Sequence, residues 1–432
     1  MDSQGSLGHR IRSTRVRKGL SQAQLALPEL SDSYVSLIES DKRMPTPDVI
    51  RLLASKLGCS ASYLSSGIDE EAQEKMRTTL EYAETAMRNG EAAEARDRYA
   101  ELLRDPDLSA LPEFAGRARW GHALALESAG ALEEALGEFA TLAAGLSPEY
   151  DTDEWIRLNI AVSRCHHEKG DIAQSVAVAE GAFARVTAEP AQWSDETVKL
   201  GATLAAAYLE RGDLVSARQL ADRLIERAEA IGSPVARMAA YWEAAIVAKY
   251  EADFETAVAH GESALALLSE AADVRNLSRL RGEYGTLMLL ARPHDAERAR
   301  DELQRAMREL TATAADEIDI AWCLTELARA EIAMGQPGKA ADRAGEALDL
   351  LGGELRPATA GVLIVLGEAR ILLGREEDAA EVLGRAIACL EQVEPSREAA
   401  QGWFHLAELL ADAGTEGRRA EAYRRALACA GL

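Results

Sequence analysis

Apolar residues recur at helical spacing through residues 7–66: Leu7, Ile11, Leu20, Leu25, Val35, Ile38, Val49, Leu53, Leu57 and Leu64. They predict one small core shared by five short helices. Each helix carries its own punctuation. LGHRIRSTRVRK stops at Gly19, Ser21 caps SQAQLAL, and Ser31 caps DSYVSLIES. Thr46, with Pro47 at the first helical position, is expected to cap the helix through VIRLLASKLG, which Gly58 ends, and Ser60 caps SASYLSS.

From residue 70 the pattern becomes periodic. A small-residue turn followed by an alanine-rich helix recurs at Gly90, Gly130, Gly170, Gly212, Ala252, His294, Gly335, Gly374 and Gly414, at intervals of 39–42 residues. Prolines fall between the pairs at Pro106, Pro148, Pro190, Pro234, Pro357 and Pro395, where they end one helix and start the next. Small residues seven apart (Ala257/Ala264, Ala299/Ala306, Ala340/Ala347, Ala379/Ala386) let neighbouring helices approach closely. The chain is therefore expected to be all-α: a five-helix head over residues 1–68, then a right-handed α-solenoid of about nine tetratricopeptide-like helix pairs over residues 69–432. The period exceeds the usual 34 residues, so each helix should be about a turn longer than in a minimal repeat.

Charge separates the same two regions. Residues 1–68 hold nine Lys/Arg against six Asp/Glu, a net of +3, while the remainder holds 39 basic and 66 acidic residues, a net of −27. An acidic body is repelled by phosphate, so any nucleic-acid contact belongs to the head. The five cysteines are scattered and form no CxxC pair, which fits reduced thiols and a cytoplasmic location. The N-terminus carries no apolar leader-like run, and the longest apolar stretch, GVLIVLGEARILLG, is interrupted by Glu368 and Arg370. No membrane association is expected.

The stretches IRSTRVRKGLSQAQLA, SYVSLIES, KRMPTPDVIRLLASKLG and SASYL, in this order over about 60 residues, resemble the Xre/Cro-type helix-turn-helix family. The resemblance implies binding to double-stranded DNA. It implies that Gln22, at the start of the second helix, holds a phosphate and orients the reading helix, and that Arg15 and Glu39 pair internally. It also places Ser31, Asp32, Ser33, Tyr34 and Ser36 at the N-terminal end of the reading helix, where base edges are met, and Lys42 and Arg43 on phosphate. Two features depart from the family: Asp41 stands where a glycine is usual, and the connection LPELSD is about one residue short. Aspartate tolerates the left-handed conformation. The shortened connection leaves open, by one position, which of residues 31–34 reaches a base. The competing reading of the head is a helical protein-binding domain without DNA affinity.

In a solenoid of helix pairs the first helix of each pair lines the inner surface. Counting back ten, thirteen and six positions from each turn gives an inward set that includes Arg117, Trp120, Arg157, Arg164, Lys199, Trp242 and Tyr284 from the early and middle pairs. Further along it includes Arg281, Met288, Trp322, Thr325, Arg329, Gly361, Ile364, Gln401 and Phe404. Six of the 24 positions are basic and only Glu368 and Glu408 are acidic, which suggests a basic and aromatic groove for an anionic or carboxylate-ended effector. The first seven residues are its candidate binding set. The plainer alternative is that the aromatics pack the superhelix and the arginines pair with neighbouring glutamates. Cys165, His166, His167 and Glu168 are ligand types, but adjacent helical positions point apart and cannot share a metal. No cofactor is expected. No phosphate loop or activated nucleophile motif is present, so the chain does not read as an enzyme.

As a whole, an Xre-type head before repeats of about 40 residues resembles the peptide-sensing regulators of the Rap/NprR/PlcR/PrgX group. The resemblance implies a transcription regulator of quorum-sensing type that acts as a homodimer, with a peptide or small-molecule effector in the superhelix controlling operator binding. That family often clamps peptide backbone with inward asparagines, and none of the three asparagines here falls in the inward set. The rival function is a DNA-tethered scaffold whose repeats bind another regulatory protein.

Overall fold

The computed structural model describes residues 6–68, 70–146, 152–188, 193–267, 274–312, 317–352, 357–393, 397–412 and 416–430. Pro148, Pro190, Pro395 and the Gly414 turn lie outside them. Twenty-three α-helices and no strand occur among the described residues. The chain forms two compact units, Met1–Gly145 and Leu146–Leu432.

The first unit opens with α1 (Leu7–Arg17), α2 (Gln22–Ala26), α3 (Asp32–Glu39), α4 (Pro47–Leu57) and α5 (Ala61–Ser66). The side chains of Ser21, Ser31 and Ser60 accept hydrogen bonds from backbone N–H groups three residues on, so three of the expected caps form. Thr46 precedes α4 without a side-chain cap, and Pro47 occupies its first position. Ile11, Leu25, Val35, Ile38, Leu53, Leu57 and Leu64 close the small core. Asp41 adopts a φ of 54°, and its carboxylate accepts from the Gly8 backbone N–H at 3.0 Å and the Ser6 hydroxyl at 2.5 Å. The aspartate thus supplies the left-handed turn and ties it to α1. Two hairpins complete the unit: α6 (Glu70–Arg88) with α7 (Ala92–Leu103), and α8 (Pro112–Ser128) with α9 (Leu132–Ala143).

The second unit contains seven hairpins. They are α10 (Thr152–Glu168) with α11 (Ile172–Val186), α12 (Asp195–Arg211) with α13 (Leu214–Ile231), α14 (Pro234–Tyr250) with α15 (Phe254–Ala266), and α16 (Val274–Ala291) with α17 (Ala296–Ala312). Then follow α18 (Glu317–Ala333) with α19 (Pro337–Leu350), α20 (Pro357–Leu372) with α21 (Glu376–Leu390), and α22 (Arg397–Asp412) with α23 (Glu416–Cys429). First helices also stack on first helices, α10 on α12 on α14 and α16 on α18 on α20 on α22. The alanine pairs seven apart are fully buried on the second helices, as close helix packing requires.

The hairpin turns share one mechanism. Gly90, Gly130, Gly170, Gly212, Gly335 and Gly374 have φ between 70° and 84°. In each, the next residue donates its N–H to the carbonyl five positions back, as Asp213 does to Tyr208 at 2.8 Å. Asp171, Asp213 and Asp253 then cap the following helix by accepting from Gln174, Ser216 and Thr256 N–H groups. Ala252 makes the same turn at φ 60° without glycine. His294 instead sits in a short 3-10 turn, Pro293–Asp295.

Candidate DNA-reading edge and repeat cavity

The head presents the N-terminal end of α3 as an exposed polar edge. Ser31, Asp32, Ser33 and Ser36 are exposed, and Tyr34 is half-buried against the head core. Ser31 Oγ accepts from Tyr34 N–H at 3.2 Å and lies 3.1 Å from Ser33 Oγ, while Asp32 Oδ1 accepts from Ser33 N–H at 2.8 Å. Lys42 and Arg43 are exposed in the loop after α3, and the Arg43 guanidinium lies 5.4 Å from the centre of the Tyr34 ring. The structure thus brings Tyr34 of the reading helix beside Arg43 of the loop.

Behind this edge sits a three-residue lock. Glu39, its side chain 3% exposed, accepts from Arg15 Nε at 2.6 Å and Nη2 at 2.9 Å, and from Gln22 Nε2 at 2.8 Å. This hydrogen bonding raises the Arg15 pKa above its ordinary value. One carboxylate therefore fixes α1, α2 and α3 to one another and sets the angle at which α3 is offered. One of the two N–H groups of the Gln22 amide is used in this lock.

The repeat residues singled out by charge and register are placed differently from the expected groove. Arg117 is exposed and paired with Glu84 at 2.7 Å, Arg157 is exposed and paired with Glu154 at 3.0 Å, and Lys199 pairs with Glu196 at 3.1 Å. Arg164 is exposed on α10. Trp120 stands edge-on to Phe139 at 5.6 Å and Trp242 is half-buried on α14. Tyr284 is only 7% exposed and belongs to the core beside Gly261. Arg117, Arg157 and Lys199 are therefore each compensated by a carboxylate, and Tyr284 offers no open aromatic surface. The cause is local: glutamates one helical turn away, or on the preceding pair, answer Arg117, Arg157 and Lys199, and the hydrophobic effect takes the Tyr284 ring into the core.

The large concavity lies further along the same register. A cavity of about 880 Å³ is lined by the first helices α14, α16, α18, α20 and α22. Trp322, Ile318, Leu290 and Ile364 supply its apolar wall, and Gly282 leaves room for the Trp322 ring, which a Cβ there would meet at 2.7 Å. Its polar wall is a run of charged and polar pairs, most of them between helices. Lys249 meets Glu283 at 3.3 Å, Arg279 meets Asp319 at 2.7 Å, and Thr286 Oγ1 donates to Glu326 at 3.3 Å. Arg329 meets Glu326 at 3.3 Å and approaches His405 Nδ1 at 3.5 Å, and His405 Nε2 lies 3.4 Å from Glu368. None of the seven residues of the candidate effector set lines this cavity. Trp322, Thr325, Arg329, Gly361, Ile364 and Gln401, also inward by register, do line it. Counting one further helical turn from Trp322 and from Gln401 would have found Glu326 and His405.

Among the described residues no helix is long and apolar enough to cross a membrane, and no cluster of His, Cys, Asp or Glu is placed to hold a metal ion. Known proteins bear on both regions. The helix-turn-helix family matches residues 11–64. No curated protein sequence matches the chain. The fold is similar to a Rap protein complexed with Competence and Sporulation Factor, with 12% identity, 83% of this chain and 98% of that one covered, and a TM-score of 0.53. It is similar to the apo quorum sensor NprR from B. thuringiensis, with 14% identity, coverage of 83% and 99%, and a TM-score of 0.53. Bacillus thuringiensis PlcR in complex with the peptide PapR7 and DNA aligns over 65% of this chain and 99% of that one, with 19% identity and a TM-score of 0.39. Residues 11–64 belong to the helix-turn-helix family of DNA-binding domains, and the helices beyond them form tetratricopeptide-like repeats.

Proposed function

We propose that the chain is a sequence-specific transcription regulator whose repeats bind an effector that controls operator occupancy. The reading head spans residues 1–68 and the effector and dimerisation region residues 69–432. It works in the cytoplasm as a homodimer, because one small head makes too few contacts and two heads engage two half-sites. Ser31, Asp32, Ser33, Tyr34 and Ser36 meet base edges, while Gln22, Lys42 and Arg43 hold phosphate.

The observation that carries the effector half is the cavity of about 880 Å³ on the first helices, which falls within the size range of ligand sites. Its apolar wall and its row of charged pairs suit an effector with an apolar body and a charged end. The fold likeness to a Rap protein holding a signalling factor and to a quorum sensor supports the same reading. We therefore move the proposed effector site from the Arg117–Lys199 stretch to the cavity bounded by Trp322, Arg329 and His405.

Selection of random duplexes by the full chain tests the reading half. A pseudo-palindrome with half-sites about one helical turn, or a multiple, apart is expected. Failure to enrich any sequence, or enrichment of a single unrepeated short site, would contradict it. Thermal-shift screening with low-mass culture extracts tests the effector half, since a ligand of the native state raises melting by mass action. A shift produced only by a protein fraction would favour a DNA-tethered scaffold.

A further inference from the structure

We propose that Arg223, Arg227 and Trp193 form an oxyanion site that takes a phosphate group. The site is built from second helices and a connection, α11, α13 and the residues leading into α12, whereas the effector cavity is built from first helices of later pairs. It is independent of that cavity and of the function assigned to it.

Arg223 and Arg227 are four positions apart on α13 and so face the same way. Their guanidinium carbons lie 5.3 and 5.6 Å from the Trp193 ring centre, and Arg223 also lies 5.7 Å from the Phe183 ring. Trp193 in turn stands edge-on to Phe183, 5.6 Å away at 87°, and both rings pack on the core of the early part of the unit. The two cations are thus held on a fixed aromatic platform, which pre-organises their planes.

What they lack is a counter-ion. Arg211, Arg218 and Arg237, before, on and after the same helix, each meet a carboxylate, Asp213, Glu251 and Glu229 respectively. Among the described residues Arg223 and Arg227 meet none, and Arg227 Nε is buried without a hydrogen-bond partner. Among the described residues Glu226, which lies between them in the sequence, makes no ion pair with either guanidinium. Like charges at this spacing repel, and an unmade hydrogen bond on a buried donor is costly. A phosphate group answers the repulsion: it carries close to two negative charges at neutral pH and offers several acceptors to the accessible N–H groups of two planar forks. A single carboxylate would neutralise only one of the pair.

The test is a titration of the full chain with sodium phosphate against sodium chloride at matched ionic strength, followed by calorimetry and tryptophan fluorescence. Saturable binding of one phosphate per chain is expected. Arg227→Gln and Arg223→Gln should each weaken it about ten- to hundredfold, the loss of one charge-assisted hydrogen-bonding group. Trp193→Phe should keep binding by calorimetry and remove the fluorescence change. Glycerol phosphate in place of phosphate tells a site for phosphate esters, which it then binds as well, from a site for the free ion, which it does not. Absence of saturable binding beyond chloride, or unchanged affinity in both arginine variants, would overturn the proposal. If Arg227→Gln lowers the melting temperature, the exposed Arg223→Gln carries the test.

Discussion

The reading head and the repeat body are both all-helical, yet they obtain their order in different ways. The head closes a small core with several different devices: a serine cap on four of its helices, one Asp41 turn, and one Glu39 lock on Arg15 and Gln22. The body reuses one device, a left-handed turn with a capped start to the next helix, hairpin after hairpin. In the head a single side chain therefore decides the geometry of function. In the body any one turn is replaceable, and function depends on which faces remain open.

This contrast predicts its largest effect at Glu39. Glu39→Ala leaves the guanidinium of Arg15 buried without its carboxylate and should cost about 3–5 kcal/mol. Native-state hydrogen exchange of the α3 amides should show the loss in the head while α12 and α13 keep their protection. Equal loss in both would break the contrast.

Next is Glu243 on α14, 7% exposed, with Oε1 unpaired and its pKa pushed up to about 8 by burial. Its folded-state pKa is raised above the ordinary carboxylate value, so the folded state holds the proton more tightly than the unfolded chain does. Its contribution is fully present below about pH 4.5 and is lost as pH rises toward 8, by up to about 4 kcal/mol. Melting followed from pH 5 to 8 should fall in the native protein, and Glu243→Gln should remove that part of the slope. A slope that persists unchanged in the variant would place the pH dependence elsewhere.

Tyr34→Ala should relax operator preference by about 1–3 kcal/mol, whereas Lys42→Ala should weaken all sequences alike and flatten the salt dependence. Competition binding against point-mutated operators at two salt concentrations separates the two. A specificity change from Lys42→Ala with none from Tyr34→Ala would mean the reading edge is elsewhere.

The smallest effect belongs to the repeated turn. Ala252→Gly replaces the non-glycine residue at φ 60° and should stabilise by about 0.5–1 kcal/mol, the left-handed penalty less the added unfolded-state entropy. A rise of this size in the denaturation midpoint would confirm that the turn is held against strain.

The sequence was legible where chemistry is local. Caps at Ser21, Ser31 and Ser60, the turn at Asp41 and seven of the eight hairpin turns within the described residues can be read from residues a few positions apart, and the structure has them; the Arg15–Glu39 pair, 24 positions apart, rests on the family resemblance instead. The inward register was legible too, since Trp322, Thr325 and Arg329 line the cavity. What charge counting missed was pairing in three dimensions. Arg117 is answered by Glu84 on the preceding pair, and Tyr284 is drawn into the core, neither of which a count of basic inward positions can register. Which stretch of the inner face opens into a cavity depends on how successive first helices stack, and no single repeat encodes it.

The most direct measurement of the central claim is an operator-binding titration of the full chain with and without a low-mass culture extract that shifts its melting. The wild-type protein and Arg157→Glu should both change operator affinity in the presence of the extract. Arg329→Glu should bind operator normally without extract and fail to respond to it. A response that survives Arg329→Glu and disappears with Arg157→Glu would contradict the account and return the effector site to the earlier repeats.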